Sequence, residues 1–503
     1  MLHFWAFIIP LISLFLQSYP RFFNKYFGVD VWTRLLEIEH VKKAGHTIPG
    51  KIKKGFIIDG YFDYPIFFPW LFSFFSKKFL LTLQGFVSPF FDCLQNLVLY
   101  FIAYSITQNI TIALLSQLIY TLIPIIPIEN SYLTPRSLGY FVFTLSFYPL
   151  MMFSITNEPL YLILGFIFSV LLFLTHRFAL QSLLFISLFF TFVDRSPTYL
   201  LSFFIAGGVA ILLTGGYYLR IAKGHLYNIY FWVKNYEYRF AHQIYGNVKQ
   251  KKQDWVSKIY PLLSTLSPIL IIATNSWILS GFIYLFIYRN KFPEFPHTII
   301  LYKMSIWILF FYVIGAIILK VKRLIPIGEG QRYLEMASVP ASLLSAILFY
   351  YAYQEWGLPV LIGFILMLTG NLSLILTLQI KGIIKDKNRS LTKELTEMYR
   401  YINKLPGRPR LLCIPHQITT MTVYNTKADV FVNADNPGLM KIQDVYPILK
   451  KSVQNLQKEY NLDYILFRES FANLKDIKLQ KAIIEHRVGD IVLVKLKKHA
   501  NET

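Results

Sequence analysis

The sequence predicts a polytopic α-helical membrane protein with about eleven transmembrane helices and a small C-terminal α/β soluble domain. Three observations predict it. The 503 residues are 55% hydrophobic and only 16% charged, against about a quarter charged in an ordinary soluble domain. Aromatic residues reach 17%, with 45 Phe and 34 Tyr, and a soluble chain would have to bury all that surface in two or three cores. A bilayer removes the need, because apolar faces stay exposed to lipid. Finally, the long apolar runs stop near Asn388, and charged residues become frequent beyond it.

Taken in order, the runs long enough to cross about 30 Å of hydrocarbon fall at 3–18, 84–106, 109–127, 138–155, 158–175, 178–194, 197–216, 262–288, 298–321, 334–353 and 357–380. The opening MLHFWAFIIPLISLFLQ has neither a basic n-region nor a small-residue cleavage site, so it reads as an uncleaved first span. The apolar stretch 64–82 is interrupted by Pro65, Pro69, Lys77 and Lys78, which suits an amphipathic segment lying in the interface. Beyond Asn388 the apolar runs shorten to strand length: RLLCIP (410–415), ADVFVNAD (428–435), LDYILFRE (462–469) and DIVLVKLK (490–497). A helical pattern at 439–460 lies among them. Alternating β and α units predict a largely parallel sheet. The expected domains are therefore 1–385, a membrane domain with a first external loop at 19–83, and 386–503, a soluble α/β domain. Cys93 and Cys413 lie in different regions, which argues against a disulfide framework. The Lys-rich helices of the C-terminal region read as a solvated surface, and no nucleic-acid motif is present.

A charge inside a span costs several kcal/mol, so polar residues at span ends carry the information. With an odd number of spans, the first loop and the C-terminal domain share one side. Counting places Asp30, Glu129 with Arg136, His176 with Arg177, the basic loop 217–261 and GEGQRYLE (328–335) on that face. The other face receives only short connections: TQN (107–109), NEP (157–159), DRS (194–196) and RNKFPEFP (289–296). Such segregation predicts chemistry, or recognition of something large, on one side. Within the first loop, Val31, Leu35, Ile38 and Val41 have the spacing of an amphipathic helix along the membrane surface. Asp30 would cap its start or lie in its first turn, and Asp59 and Asp63 read as turn residues beside Gly60 and Pro65. His176 and Arg177 end a span, where arginine commonly snorkels; the other reading has both holding a phosphate. Arg332 has the same two readings, with Glu329 and Glu335 on either side as salt-bridge partners. The mixed basic and aromatic loop 217–261 suits either an interface near anionic lipid or a platform for sugar rings.

The succession of a first span, GVDVWTR (28–34), a surface helix, GHTIP (45–49), DYP (63–65) and a second span resembles the GT-C glycosyltransferases, membrane enzymes that use polyprenyl-phosphate-linked sugars. ENSYLTPRSLGY (129–140), FLTHRFALQ (173–181) and GEGQRYLEMASVP (328–340) extend the resemblance. It implies that Asp30 is the catalytic carboxylate and that Glu129 stands in place of a second-loop acid, orienting the acceptor or sharing a divalent cation. It also implies that Arg332, helped by Arg177, His176 or Arg136, meets the donor phosphate. The partners implied are a lipid bilayer, a polyprenyl-phosphate-linked donor and a glycan, lipid or protein acceptor, at the extracytoplasmic face of a plasma or inner membrane. Two motifs are missing: there is no W-W-D-Y-G in the C-terminal domain, and Glu129-Asn130 stands where a D-x-D pair would. Transfer to Asn in sequons is therefore not expected. A lipid-carrier polysaccharide polymerase or ligase is one alternative, although such enzymes typically lack an appended α/β domain. A transporter or flippase is the other, although few ionisable residues lie at mid-span.

Overall fold

The computed structural model describes residues 2–247, 272–288, 298–477, 479 and 483–496. They fall into two units, each assembled from three stretches of chain. One comprises Met1–Lys25, Leu81–Leu219 and Lys252–Lys385; the other comprises Tyr26–Leu80, Arg220–Lys251 and Asp386–Thr503. One boundary between the units falls between Lys385 and Asp386. Tyr26–Leu80, within the first loop, and Arg220–Lys251, within the 217–261 segment, group with the C-terminal region.

The first unit is helical and belongs to an integral membrane protein. Among the described residues, five helices are long and apolar enough to cross a bilayer: His3–Phe23, Lys77–Thr107, Arg136–Thr156, Thr298–Lys320 and Leu358–Ile384. Other expected spans are shorter apolar helices, Ile110–Thr121, Pro159–Phe173, Arg177–Val193 and Ser276–Ile287. The first of these stops where Pro124 and Pro127 follow, since proline disfavours helix at the residue before it and lacks an N–H. The helix Thr198–Leu213 is followed after a bend of 118° by Tyr217–Tyr238. Helix Ser338–Trp356 is buried throughout its first eleven residues, Ser338 to Leu348, and so is a core helix more than a lipid-facing one. The expected span 262–288 and loop 217–261 lie partly, and the loop 289–296 wholly, outside the described residues.

The second unit is built on a six-stranded sheet. In chain order its strands are β2 (Phe56–Ile58), β4 (Arg410–Ile414), β5 (Asp429–Asn433), β6 (Tyr464–Arg468), β7 (Ile483–Val488) and β8 (Ile491–Lys495); β1 (Lys51–Ile52) and β3 (Gly60–Tyr61) pair separately. The order across the sheet is β2-β5-β4-β6-β8-β7, parallel from β2 to β6 and antiparallel from β6 to β7. Strands β4, β5, β6 and β8 lie where the apolar runs predicted them. Their consecutive buried residues, such as Leu411, Leu412, Cys413 and Ile414, reflect a sheet covered on both faces. Leu412, Phe431, Ile465, Phe467 and Val494 form its core.

Two departures have local causes. The pattern at 439–460 is α-helical only over Val453–Tyr460, which Ser452 caps by accepting from the Asn455 N–H at 3.3 Å. Pro447 sits mid-pattern, where a helix would need the donor that proline lacks. The first-loop helix, Val29–Lys43, forms as expected, but its stripe of Val31, Leu35, Ile38 and Val41 is covered by protein. It packs on the short helices Phe67–Ser73 and Thr419–Asn425, and Trp32, 1% exposed, meets the Tyr424 ring at 5.5 Å.

His416 follows β4 and stacks on Tyr446 at 4.2 Å. Burial lowers its pKa from 6.5 to about 4, so the unfolded chain takes up the proton first. This unit should therefore lose stability as pH falls from 6.5 toward 4 and lose no more to this group below that. In His416→Gln the loss over the same window should shrink, as measured by thermal unfolding of both proteins at pH 7 and pH 4.5.

Candidate active site

Arg136 begins the helix Arg136–Thr156, and its guanidinium is the centre of the polar cluster in the membrane unit. It is 7% exposed. Its Nη1 donates to the Glu129 carboxylate at 2.6 Å and its Nε to Glu335 at 2.9 Å and to the Tyr140 hydroxyl at 3.0 Å. Its Nη2 also donates to Glu335, completing the two-pronged geometry that guanidinium makes with a carboxylate. Glu335 is 3% exposed. Two acids thus occupy Arg136, which leaves it poorly placed to receive a phosphate and well placed to lock the second loop to the 328–335 segment. Arg136→Ala would strand Glu335 in a buried site, at a cost of about 3–5 kcal/mol. A lowered Tm is expected, with partial recovery in the Arg136→Ala/Glu335→Ala double variant.

His176 and Arg177 belong to the same unit. The His176 ring caps the helix Arg177–Val193 by accepting from the Ala179 N–H at 3.3 Å. It lies edge-on to Tyr140 at 5.9 Å and against Gly139, where an added Cβ would come within 2.5 Å of it. Its role in the fold is therefore that of a helix cap, while Arg177 is half-buried in the first turn beyond it.

Arg332 differs from Arg136. Its side chain is 37% exposed, and its ion pair with Glu329 is long, at 3.4 Å. The short helix Gly330–Tyr333 that carries it can sit tightly on the helix Thr298–Lys320 because Gly330 meets Gly315: a Cβ on Gly330 would lie 2.3 Å from the Gly315 carbonyl oxygen. Gln181 holds the segment from the other side, donating to the Ile327 carbonyl and the Tyr333 hydroxyl, both at 2.6 Å. An apolar cavity of about 380 Å³ is lined by Phe185, Phe189, Phe310, Ile314, Leu324 and Ile327. Ile327 leads directly into the Gly328–Arg332 stretch. Glu129 is engaged by Arg136, and among the described residues no three His, Cys, Asp or Glu side chains gather closely enough to hold a metal ion.

Asp30 belongs to the other unit. Gly28, at φ 111°, is the N-cap of its helix, and Asp30 lies in the first turn. Its side chain is exposed, and among the described residues no hydrogen bond to it is found, so it is no cap. Arg34 and Tyr446 feel its charge. Asp63, in contrast, is 8% exposed and accepts from the Asn436 N–H at 2.8 Å and side-chain amide at 2.9 Å. It joins the first loop to the end of β5.

Sequence reasoning passed over two buried groups. Asp92, 3% exposed, is the one acid in the run 84–106; a carboxylate within a span was signal enough. At the far end of the helix Arg136–Thr156, Lys303 pairs with Asp194 at 2.7 Å and donates to Ser154 at 2.8 Å, and the Tyr199 hydroxyl donates to Asp194 at 2.6 Å. A helix of 21 residues spans about 30 Å, so the two ion-pair clusters mark opposite ends of the bundle. That matches the two faces expected from span counting.

No protein-family model matches the sequence, and no curated protein matches it. Solved structures do. ArnT from Cupriavidus metallidurans, bound to undecaprenyl phosphate, matches with a TM-score of 0.53 at 12% identity over 97% of each chain. The Archaeoglobus fulgidus oligosaccharyltransferase in complex with zinc and sulfate has a TM-score of 0.57 at 11% identity, covering 92% of this chain and 68% of that one. The archaeal oligosaccharyltransferase AglB, with an inhibitory peptide and a dolichol-phosphate, gives 0.55 at 10% identity over 93% and 69%. These neighbours are GT-C glycosyltransferases, and the chain shares their fold.

Proposed function

We propose that the chain is an inverting glycosyltransferase that moves a sugar from a polyprenyl-phosphate-linked donor to a glycan, lipid or protein acceptor at the extracytoplasmic face. The observation that supports this reading is Arg332, a partly exposed side chain on a tightly packed segment that follows Ile327, a wall residue of an apolar groove. An isoprenoid chain suits the groove, and a guanidinium suits the phosphate at the chain's head. The neighbours support it: ArnT is bound to undecaprenyl phosphate and AglB to a dolichol-phosphate.

In this reading Asp30 accepts the proton of the acceptor hydroxyl as its oxygen attacks the anomeric carbon. The bond from that carbon to the phosphate oxygen breaks, and Arg332 meets the charge that the departing polyprenyl phosphate gains. Glu129, held by Arg136, orients the acceptor. Purified protein incubated with a panel of polyprenyl-phosphate sugars should release polyprenyl phosphate. Uptake without turnover would make the chain a transporter instead.

The outside placement of the first loop and of 386–503 rests on the resemblance, and the basic residues of the loop oppose it. Lys42, Lys43, Lys51, Lys53, Lys54, Lys77 and Lys78 would favour the cytoplasmic side, although long loops weigh little in that bias. A cysteine introduced at an exposed position such as Lys475 should react with an impermeant reagent in intact cells; labelling only after lysis would reverse the map.

A further inference from the structure

Asp92 is buried within the helix Lys77–Thr107, and the groups that donate to its carboxylate are neutral. Gln17 donates its side-chain amide to Oδ2 at 2.6 Å, and Tyr120 donates its hydroxyl to Oδ1 at 2.7 Å. The Asn130 amide reaches Oδ1 at 3.5 Å. Among the described residues no Lys, Arg or His pairs with Asp92. A bare carboxylate in such a place is costly, and something must offset its charge.

The surrounding oxygens say what. The side-chain oxygens of Gln17, Ser18, Asn130 and Ser131 are buried, and none has a hydrogen-bond partner; the four residues are 0%, 0%, 2% and 0% exposed. Nearby, Gln379 donates to the carbonyls of Leu16 at 2.8 Å and Pro127 at 3.4 Å, and its own side-chain oxygen is likewise left over. Buried polar atoms without partners in a native structure call for an explanation, and an unseen ion or water is a common one. A proton on Asp92 would neutralise the carboxylate but supply a donor to just one of these acceptors. The leftover oxygens of Gln17 and Asn130 sit on the same amides that reach Asp92, and oxygens beside one carboxylate are the donor set of a hard cation, for which a single carboxylate matches a single positive charge.

We propose that Asp92, Gln17 and Asn130 form the core of a site for a monovalent alkali cation, of the sodium class, inside the membrane unit. Ser18 and Ser131, the next residues in sequence after Gln17 and Asn130, carry further buried oxygens without partners. The ion would tie the first span, the helix Lys77–Thr107 and the second loop together, and so hold Glu129 and Arg136 in place from below. This site is separate from the proposed chemistry at Arg332 and does not depend on that reading.

The test is thermal unfolding of the purified full-length chain in sodium chloride, potassium chloride or N-methyl-D-glucamine chloride at equal ionic strength. Sodium should raise the Tm of the wild type in a saturable way, and N-methyl-D-glucamine should not. Gln17→Leu should shift half-saturation upward by about tenfold or more, the scale on which metal sites weaken when a supporting group is lost. Asp92→Asn should abolish the sodium dependence. Should Asp92→Asn fail to fold, direct titration of sodium into the wild type by calorimetry decides the matter. A wild type whose Tm is the same in all three salts, with no heat of sodium binding, overturns the site and makes Asp92 a buried neutral acid.

Discussion

Asp30→Asn is expected to lower sugar transfer by about 10²–10⁴-fold, the usual contribution of a general base, while thermal unfolding stays nearly unchanged. The separation of the two effects follows from the geometry. Gly28 supplies the cap, and the exposed Asp30 carboxylate has no hydrogen bond among the described residues, so the amide breaks nothing. The one structural loss is a favourable charge in a helix's first turn, worth about 0.3–1 kcal/mol. Asp63→Asn is the informative contrast. That side chain carries two hydrogen bonds from Asn436, so the variant should be less stable, by about 1–3 kcal/mol, and whatever remains folded should still turn over. Polyprenyl phosphate release and Tm, measured on both variants, check the pair. Wild-type turnover in Asp30→Asn would remove this residue from the chemistry.

Arg332→Ala should weaken donor binding until transfer is almost undetectable, with added acceptor giving no rescue. Arg332→Lys should keep part of the activity, because it retains the charge but not the two-pronged fork. A role limited to snorkelling predicts the opposite pattern, in which lysine serves equally well and alanine costs stability alone. The fold offers little reason for a stability loss: the side chain is 37% exposed, and its ion pair with Glu329 is long. Arg136, seven-hundredths exposed and shared by Glu129 and Glu335, should behave in reverse and lose its fold before its substrate. Donor affinity of folded Arg332→Ala decides the matter; unchanged affinity would take the residue out of the site.

Features that repeat within a short window were legible along the chain. Spans followed from apolar length, four strands of the α/β sheet from strand-sized apolar runs, and the helix Val29–Lys43 from its spacing. The grouping of polar residues at span ends was also legible, because charge is excluded from hydrocarbon wherever the chain folds. Tertiary structure alone decided which of those residues act together. Arg136 and Glu335 meet across 199 positions, and no local pattern marks one as the other's partner. The same holds for β2, three residues of the first loop that join the sheet beside β5; so short a segment has no period of its own and becomes a strand because a sheet edge is there to pair with it. Asp92 stood in plain view in an apolar run, yet only packing shows that its hydrogen-bond donors are neutral and that the Gln17 and Asn130 amide oxygens are left unpartnered. Local preference is set by neighbours along the chain. Charge compensation and desolvation are set by neighbours in space, and a sequence does not contain those until the chain has folded.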